Sequence, residues 1–235
     1  MDEQAQNAAK QKAGYRAADM VQPDMVIGLG TGSTVFYMME RLKERIDSGL
    51  RVQGIPTSLQ AAMRAREYRI PLTTLDEYPE PDLAIDGADQ VDPGFRAIKG
   101  RGAAHTREKC VAAAAKKFII VIDESKLTRQ LDAPVPIEVI TFAATPVLAR
   151  LKNMGGEPCI RVGIKKDGPV ITDNGNMIID CSFGPIDSPE KLERSLSCIP
   201  GTIENGLFTR YTKKTEIIIG TKNGCLLKTS ADIVP

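Results

Sequence analysis

The chain is poor in the side chains from which metal centres and disulfide frameworks are built. Its 235 residues include one histidine, His105, and five cysteines. The cysteines are odd in number, widely spaced and free of any C-x-x-C pair, which indicates reduced thiols with structural roles. Because the chain offers no cluster of metal-ligand residues, we expect no bound metal.

The chain also lacks an excess of charge of one sign and any long apolar run. Its 31 basic and 30 acidic residues are interspersed and leave a net charge of +1, so no electrostatic footprint for nucleic acid or a membrane surface is present. The N-terminal segment MDEQAQNAAKQKAG is polar and has no apolar core for export, and no run approaches membrane-spanning length. We therefore expect a cytoplasmic protein that binds neither nucleic acid nor membranes.

Helix and strand patterns alternate along the first half of the chain. The sequence predicts helices to about Val21 and over 33–46, 58–67 and 103–115, and strands over 25–29, 51–55, 83–86 and 118–122. This order predicts an α/β fold with a Rossmann-like, mainly parallel sheet that carries helices on both faces.

The pattern changes near residues 132–136, where two prolines interrupt it. Strands are then predicted over 137–140, 159–162, 170–171, 177–180 and 202–208, with helices over 146–154 and 189–197. We expect a smaller α+β domain over 134–208, inserted into an α/β domain formed by 1–133 and 209–235. A strand over 216–220 is expected to return to the main sheet.

A glycine-rich loop, GLGTGST at residues 28–34, joins the first predicted strand to a helix. Backbone amides at such a helix start can bind phosphate. A dinucleotide fingerprint would place glycine where Ser33 stands, and a nucleotide P-loop would need a lysine that this loop lacks. A small phosphate site using Thr31, Gly32, Ser33 and Thr34 remains. The structural alternative is a tight turn in which Ser33 or Thr34 caps the helix.

A second polar run, DGADQVDPGFRAIKGRGAAHTREK, follows the predicted strand at 83–86. Asp86 and Asp89 stand at the end of that strand, where open α/β sheets usually bind ligands. Gly100 and Gly102 follow Lys99 on either side of Arg101, and they let the backbone there approach a ligand closely. Each acid alone could be a turn former or part of a solvated helix face. Together with Glu108 on the next helix, the set suits proton transfer next to a carbonyl.

With these motifs, the sequence resembles the A type of ribose-5-phosphate isomerase over nearly its whole length. The motifs that carry the resemblance, in chain order, are GLGTGST, DGADQVD, KGRGAAHTREK, ITDNGN at residues 171–176, and IPG followed by GLF within residues 199–208. The resemblance implies interconversion of ribose 5-phosphate and ribulose 5-phosphate in the non-oxidative pentose phosphate pathway.

The resemblance also implies residue roles. Glu108 matches the general base, which carries a proton between C1 and C2 through an enediolate. Asp86, Asp89 and Lys99 match residues that contact the sugar hydroxyls, assist ring opening and stabilise developing charge. Positions associated with substrate and phosphate binding match Thr31, Ser33, Thr34, Lys10 on the first helix and Lys126 in DESK. We expect no cofactor, because the reaction exchanges no electrons with one. The resemblance also implies a homodimer or homotetramer.

Two positions depart from the family pattern. Arg101 stands where glycine is more common, and His105 stands where leucine is more common. If position 101 required a positive φ, arginine would cost about 1 kcal/mol there. We expect His105 to serve in packing rather than as a second base.

Three other functions fit the pattern less well. An amino-sugar phosphate deaminase would need a histidine in its proton relay, and an acyl-CoA transferase would use a glutamate as nucleophile. A sugar-phosphate sensor that has lost its chemistry would show a damaged acid set or an attached DNA-binding segment, but Asp86, Asp89, Lys99 and Glu108 are all present.

Overall fold

The computed structural model of the chain describes residues 3–165 and 167–233. Contacts group them into two compact units. Unit 1 consists of the described parts of Met1–Ala88, Arg107–Leu127 and Tyr211–Pro235, and unit 2 of those in Asp89–Thr106 and Thr128–Arg210. The predicted smaller domain, 134–208, lies inside unit 2, which also takes in residues 89–106; the domain boundaries stay a prediction.

The α-helices of the described residues are α1 (Glu3–Asp19), α2 (Ser33–Asp47), α3 (Leu59–Glu67), α4 (His105–Ala114), α5 (Ala144–Asn153) and α6 (Pro189–Ser197). The strands are β1 (Val26–Leu29), β2 (Gln53–Pro56), β3 (Leu83–Asp86), β4 (Gln90–Val91), β5 (Ala97–Ile98), β6 (Lys117–Asp123), β7 (Val135–Val139), β8 (Glu157–Ile160), β9 (Met177–Ser182), β10 (Thr202–Asn205), β11 (Leu207–Phe208), β12 (Thr215–Thr221) and β13 (Gly224–Lys228). Short 3-10 turns separate some of these elements.

Unit 1 is built on a six-stranded sheet with the order β13-β12-β6-β3-β1-β2. Every neighbouring pair is parallel except β12 and β13, which form an antiparallel hairpin. The chain leaves β1 toward β2 on one side, and β3 returns on the other side of β1. The loops after β1 and β3 therefore flank a topological switch point, the place where open α/β sheets bind ligands.

Helix α1 packs unusually close to its neighbours because its buried face consists of alanines and Gly14. A Cβ on Gly14 would lie 2.6 Å from the carbonyl oxygen of Thr34, at the start of α2. A Cβ on Gly220 of β12 would lie 1.9 Å from the carbonyl oxygen of Ala9. These close approaches fix where α1 places Lys10, the residue after Ala9.

Unit 2 contains two antiparallel sheets, with the orders β10-β7-β9-β8 and β11-β5-β4. Its core is formed by apolar residues of β7, β9, α5 and α6, among them Ile137, Ile179, Val147 and Leu196. Strand β7 lies between β9 and β10, so both of its edges are paired.

The sequence-based prediction of the fold class is confirmed, and several details differ. The strand predicted over 202–208 is two strands, β10 and β11, interrupted at Gly206. The stretch predicted as a strand over 170–171 forms only an isolated bridge, between Ile171 and Met177. Strands β4, β5 and β13 were not predicted. Two-residue strands have no readable periodicity, but Asn223-Gly224 is a strong hairpin signal that predicts β13.

None of the described helices is both long enough and apolar enough to cross a membrane.

Candidate active site

The glycine-rich loop after β1 turns directly into α2. The helix begins at Ser33, its N-cap residue is Gly32 with a φ of 114°, and no side chain caps it. The alternative in which Ser33 or Thr34 acts as the cap is therefore wrong. A positive φ of this size favours glycine, which explains Gly32 in the motif. Ser33 is exposed and Thr31 half-buried, whereas Thr34 is buried.

Asp86, the last residue of β3, is bonded to this loop. Its Oδ1 accepts a hydrogen bond of 3.1 Å from the amide of Thr31 and one of 2.7 Å from the amide of Gly87. Only 3% of the residue is exposed. A Cβ on Gly30 would lie 2.2 Å from Oδ1 of Asp86, so glycine is needed at position 30 for this approach.

Two hydroxyl residues at the end of β2 contact the same loop and were missed as site candidates. Thr31 Oγ1 lies 2.7 Å from Ser58 Oγ and 3.3 Å from Thr57 Oγ1. Ser58 also caps α3 by accepting a hydrogen bond of 2.9 Å from the amide of Ala61. The sequence signal was present, because Pro56-Thr57-Ser58 ends the strand next to β1.

Glu108 lies in the first turn of α4 and is 5% exposed. The same helix packs on the sheet at Val111, whose Cγ1 would be 2.3 Å from a Cβ on Gly28 of β1. Glycine at position 28 therefore lets α4 lie close to β1, the strand that leads into the glycine-rich loop. The next residue, Lys109, is 4% exposed.

The predicted binding lysines Lys10 and Lys126 belong to unit 1 and stand near Asp123, the last residue of β6. Asp123 accepts a hydrogen bond of 3.0 Å from the amide of Ser125, and it is also bonded to Gln6 of α1. Burial opposes its ionisation, but these hydrogen bonds and the charge of Lys10 outweigh burial and lower the pKa of Asp123. Asp123 thus joins α1 to the turn that contains Lys126.

In unit 2, Asp89 organises the loop that follows β5. Its Oδ2 accepts a hydrogen bond of 3.0 Å from the amide of Arg101, and the amide of Ala103 donates to Gly100 O at 3.0 Å. Arg161 Nη1 donates to the carbonyls of Gly100, at 2.9 Å, and Arg101, at 3.0 Å. The turn that contains Gly102 is therefore closed on itself and bonded from two sides.

Lys99 is held by the GLF motif. Its amide donates to Gly206 O at 2.9 Å, and a Cβ on Gly206 would lie 2.2 Å from Lys99 O. The Lys99 Nζ lies 5.2 Å from the centre of the Phe208 ring, within cation–π range, and the residue is 3% exposed. Sequence reasoning noted the motif but did not assign Phe208 to the site.

The two departures from the family pattern have structural explanations. The positive φ in this loop falls on Gly100 (110°) and Ala103 (58°), and Arg101 is not among the described residues with such a backbone. Arg101 therefore has no steric penalty. His105 is fully buried, its Nε2 lies 3.3 Å from Glu204 O, and its ring packs against Gly100. This placement agrees with a packing role.

The predicted site residues thus fall into two sets. Unit 1 holds the loop Thr31–Thr34 with Asp86, Glu108, Lys10 and Lys126, and unit 2 holds Asp89, Lys99, Gly100 and Gly102. Within residues 3–165 and 167–233, no group of three or more His, Cys, Asp or Glu residues could hold a metal ion.

A glycine-rich loop and a buried acid at the switch point of a mainly parallel sheet are typical of α/β enzymes that bind small ligands at the carboxyl ends of their strands. Residues 53–224 match the family model of ribose 5-phosphate isomerase A, also called phosphoriboisomerase A. The chain belongs to this family, as its sequence motifs predicted, and is an isomerase.

Relatives and solved structures agree over nearly the full length. The chain is 60% identical over 228 residues to ribose-5-phosphate isomerase A of Methanoregula boonei, covering 97% of this chain and 96% of the relative. It is 51% identical to the Methanosarcina acetivorans protein of the same name, covering 92% of each. The structure of ribose 5-phosphate isomerase A from Methanocaldococcus jannaschii superposes with a TM-score of 0.90 at 47% identity, covering 94% of this chain and 98% of that one. A D-ribose-5-phosphate isomerase in complex with phospho-erythronic acid gives a TM-score of 0.91 at 44% identity, covering 94% and 97%.

Proposed function

We propose that this protein interconverts D-ribose 5-phosphate and D-ribulose 5-phosphate through an enediolate, with Glu108 as the general base. The observation that carries the proposal is the placement of Glu108: a buried carboxylate in the first turn of α4, on a helix packed against the strand that leads into the glycine-rich loop. Burial strengthens a carboxylate as a base by disfavouring its charged form. A positioned base contributes about 10²–10⁴-fold in rate.

The charge that develops on oxygen needs a cation or a hydrogen-bond donor. Lys99 is the proposed cation, since it is buried and held over the Phe208 ring with its backbone fixed by Gly206. In the proposed mechanism, Asp86 and Asp89 contact the sugar hydroxyls and assist ring opening. Both acids are held by backbone amides, which supports fixed orientations for them.

The phosphate is proposed to bind the loop Thr31–Thr34, with Lys10 and Lys126 supplying positive charge. Three observations support this role for the loop: α2 begins without a side-chain cap, Gly32 bends the backbone at its start, and Ser33 is exposed. Helix starts of this kind favour anions.

The ligand of one solved relative agrees with this chemistry. Phospho-erythronic acid, the compound bound in that isomerase, combines a phosphate with a carboxylate. A planar carboxylate resembles an enediolate, because both carry two oxygens on a flat, negatively charged group. A site in this chain that is complementary to the enediolate should therefore bind such an acid more tightly than it binds the substrate.

The test is conversion of ribose 5-phosphate to ribulose 5-phosphate by the purified protein, with Glu108→Gln beside it and Glu124→Gln as the matched control. Glu124 is an exposed glutamate of the same unit. We expect Glu108→Gln to bind phospho-erythronic acid as the parent does and to lose about 10²-fold or more in kcat. Glu124→Gln should retain full turnover. Normal turnover by Glu108→Gln would exclude Glu108 as the base.

Binding and turnover assays of the same purified protein with other substrates separate the rival functions. A folded parent that binds the sugar phosphate without turnover would indicate a sensor, and turnover of an amino sugar phosphate or an acyl-CoA would indicate the other two classes. Running the assay in chelator tests the expectation of a metal-free enzyme, because a loss of activity that added metal restores would contradict it.

A homodimer or homotetramer is also proposed, and light scattering of the purified protein would identify the oligomeric state.

A further inference from the structure

A buried carboxylate outside the proposed catalytic set lies in the centre of unit 2. Glu138 is fully buried in β7, where its neighbours are Ile178 of β9 and Glu204 of β10. Burying a charge costs on the order of several kcal/mol, which is more than a surface ion pair usually contributes to stability. An apolar side chain of similar size would stabilise such a strand as well or better. A carboxylate at this position therefore points to a task other than stability.

The ITDNGN motif folds around this carboxylate. Thr172 Oγ1 accepts hydrogen bonds of 3.2 Å from the backbone amides of Asn174 and Asn176, and Gly175 has a φ of 82°. The resulting tight turn presents three donors to Glu138 Oε1: Thr172 Oγ1 at 2.7 Å, Asn176 Nδ2 at 2.8 Å and Asn174 Nδ2 at 3.1 Å. The motif thus holds one oxygen of Glu138 and orients the other.

The second oxygen, Oε2, accepts a hydrogen bond from the hydroxyl of Thr106. Thr106 is the second residue of α4 and stands two positions before Glu108 in the same helix. Burial raises the pKa of Glu138, but the hydrogen bonds from Thr106, Asn176, Thr172 and Asn174 outweigh burial, and the pKa lies below its ordinary value. An ionised carboxylate next to a helix N-terminus also interacts favourably with the helix dipole.

We propose that Glu138 is a positioning residue for the isomerisation: clamped by the ITDNGN turn and acting through Thr106, it fixes the first turn of α4 and thereby the direction of the Glu108 carboxylate. The inference rests on the proposed function, in which Glu108 is the base. Proton transfer requires a base within hydrogen-bond reach of its carbon acid, and a misplacement of about 1 Å can lower the rate about 10²-fold. The hydrogen bond between Thr106 and Glu138, two residues before Glu108, would hold the base in that position.

Thr106 and Thr202 allow a matched test, because both belong to unit 2 and only Thr106 donates its hydroxyl to Glu138. Thr106→Val removes the bond between Glu138 and α4, whereas Thr202→Val removes a hydroxyl that bonds to the carbonyls of Leu196 and Ile199 and leaves the ITDNGN turn intact. Thr106→Ser keeps the hydroxyl and serves as the conservative rescue. The valine substitutions keep the side-chain volume, and testing Thr106 avoids the folding defect that a change of Glu138 itself would risk.

We expect Thr106→Val to lower kcat about 10-fold with KM within about twofold, because the base is displaced while the binding groups are kept. Thr106→Ser should recover most of the lost turnover, and Thr202→Val should stay within about twofold of the parent in kcat even if its Tm falls. Turnover by Thr106→Val within twofold of the parent would overturn the proposal. An equal loss of kcat in the two valine variants would also overturn it, since that result describes general loosening of unit 2.

Hydrogen exchange of the peptide that covers α4 gives a readout independent of catalysis. Faster exchange in the first turn of α4 in Thr106→Val, but not in Thr202→Val, supports the clamp; equal exchange in both contradicts it. If the parent does not isomerise ribose 5-phosphate, the proposed function fails, and the exchange comparison still decides whether Glu138 holds the helix through Thr106.

Discussion

The amide of Thr31 donates a hydrogen bond of 3.1 Å to the carboxylate of Asp86, which joins the glycine-rich loop after β1 to the end of β3. The two residues are 55 positions apart in the chain and meet because β1 and β3 are parallel neighbours. A proposed phosphate-binding loop and a proposed sugar-binding acid therefore share one hydrogen bond. A change that displaces either group should displace the other.

Gly30 makes this contact possible, and its replacement should break it. In Gly30→Ala the new Cβ would lie 2.2 Å from Asp86 Oδ1, so the loop or the acid must move. We expect a loss of about 1–3 kcal/mol in stability together with a large fall in activity. Gly87→Ala is the control for stability, since its Cβ would meet no atom closer than 3.8 Å. Equal thermal stability of the two variants would contradict the close approach.

The double variant Ser33→Ala, Thr34→Ala tests the phosphate site. Both hydroxyls are at the start of α2, so their removal should mainly raise KM for the phosphorylated sugar, with kcat less affected. Ser48→Ala, which removes an exposed hydroxyl just after the other end of α2, should leave the kinetics unchanged. An effect of the double variant on kcat alone would be inconsistent with phosphate binding there.

Phe208 should matter for turnover through Lys99. Phe208→Leu keeps an apolar side chain but removes the ring face that lies 5.2 Å from the Lys99 Nζ. Loss of a cation–π contact worth about 0.5–2 kcal/mol should lower kcat about two- to thirtyfold. Phe183→Leu, a change of the same kind against the core of unit 2, should alter Tm more than kcat. Steady-state kinetics and Tm measured on both variants would distinguish these effects.

Asp123 should make stability depend on pH in the acid range. Its pKa in the folded protein lies below the ordinary value of 3.8, because hydrogen bonds and Lys10 outweigh burial. A lowered folded pKa contributes stability that is present above about pH 4 and is lost as the pH falls through the folded value. Asp123→Asn should lower Tm at pH 7 and flatten the decline of Tm between about pH 5 and 3. Glu124→Gln should keep the parent's pH profile, and a parallel decline in Asp123→Asn would refute this role.

The order of elements in unit 1 was predictable because long, strongly patterned segments carry their own periodicity. The start of α2 at Ser33 and the placement of Asp86 at the end of β3 both agree with the sequence-based expectation. Of the strands that were missed, β13 carried a hairpin signal, whereas β4 and β5 have only two residues each. Their formation depends on partners far along the chain, such as Ile98 with Leu207, and no local pattern encodes such a pairing.

The family, the fold class and the candidate acids, lysines and glycines could all be inferred from the sequence, because motifs and periodicity are local properties that can be read along the chain. Three features became visible only in the folded chain: Phe208 lies against Lys99, the positive φ falls on Ala103 and not on Arg101, and the ITDNGN turn binds Glu138. Each of these features depends on which strands become neighbours. Strand pairing is decided by the burial of apolar surface over the whole chain, so no local pattern reveals it.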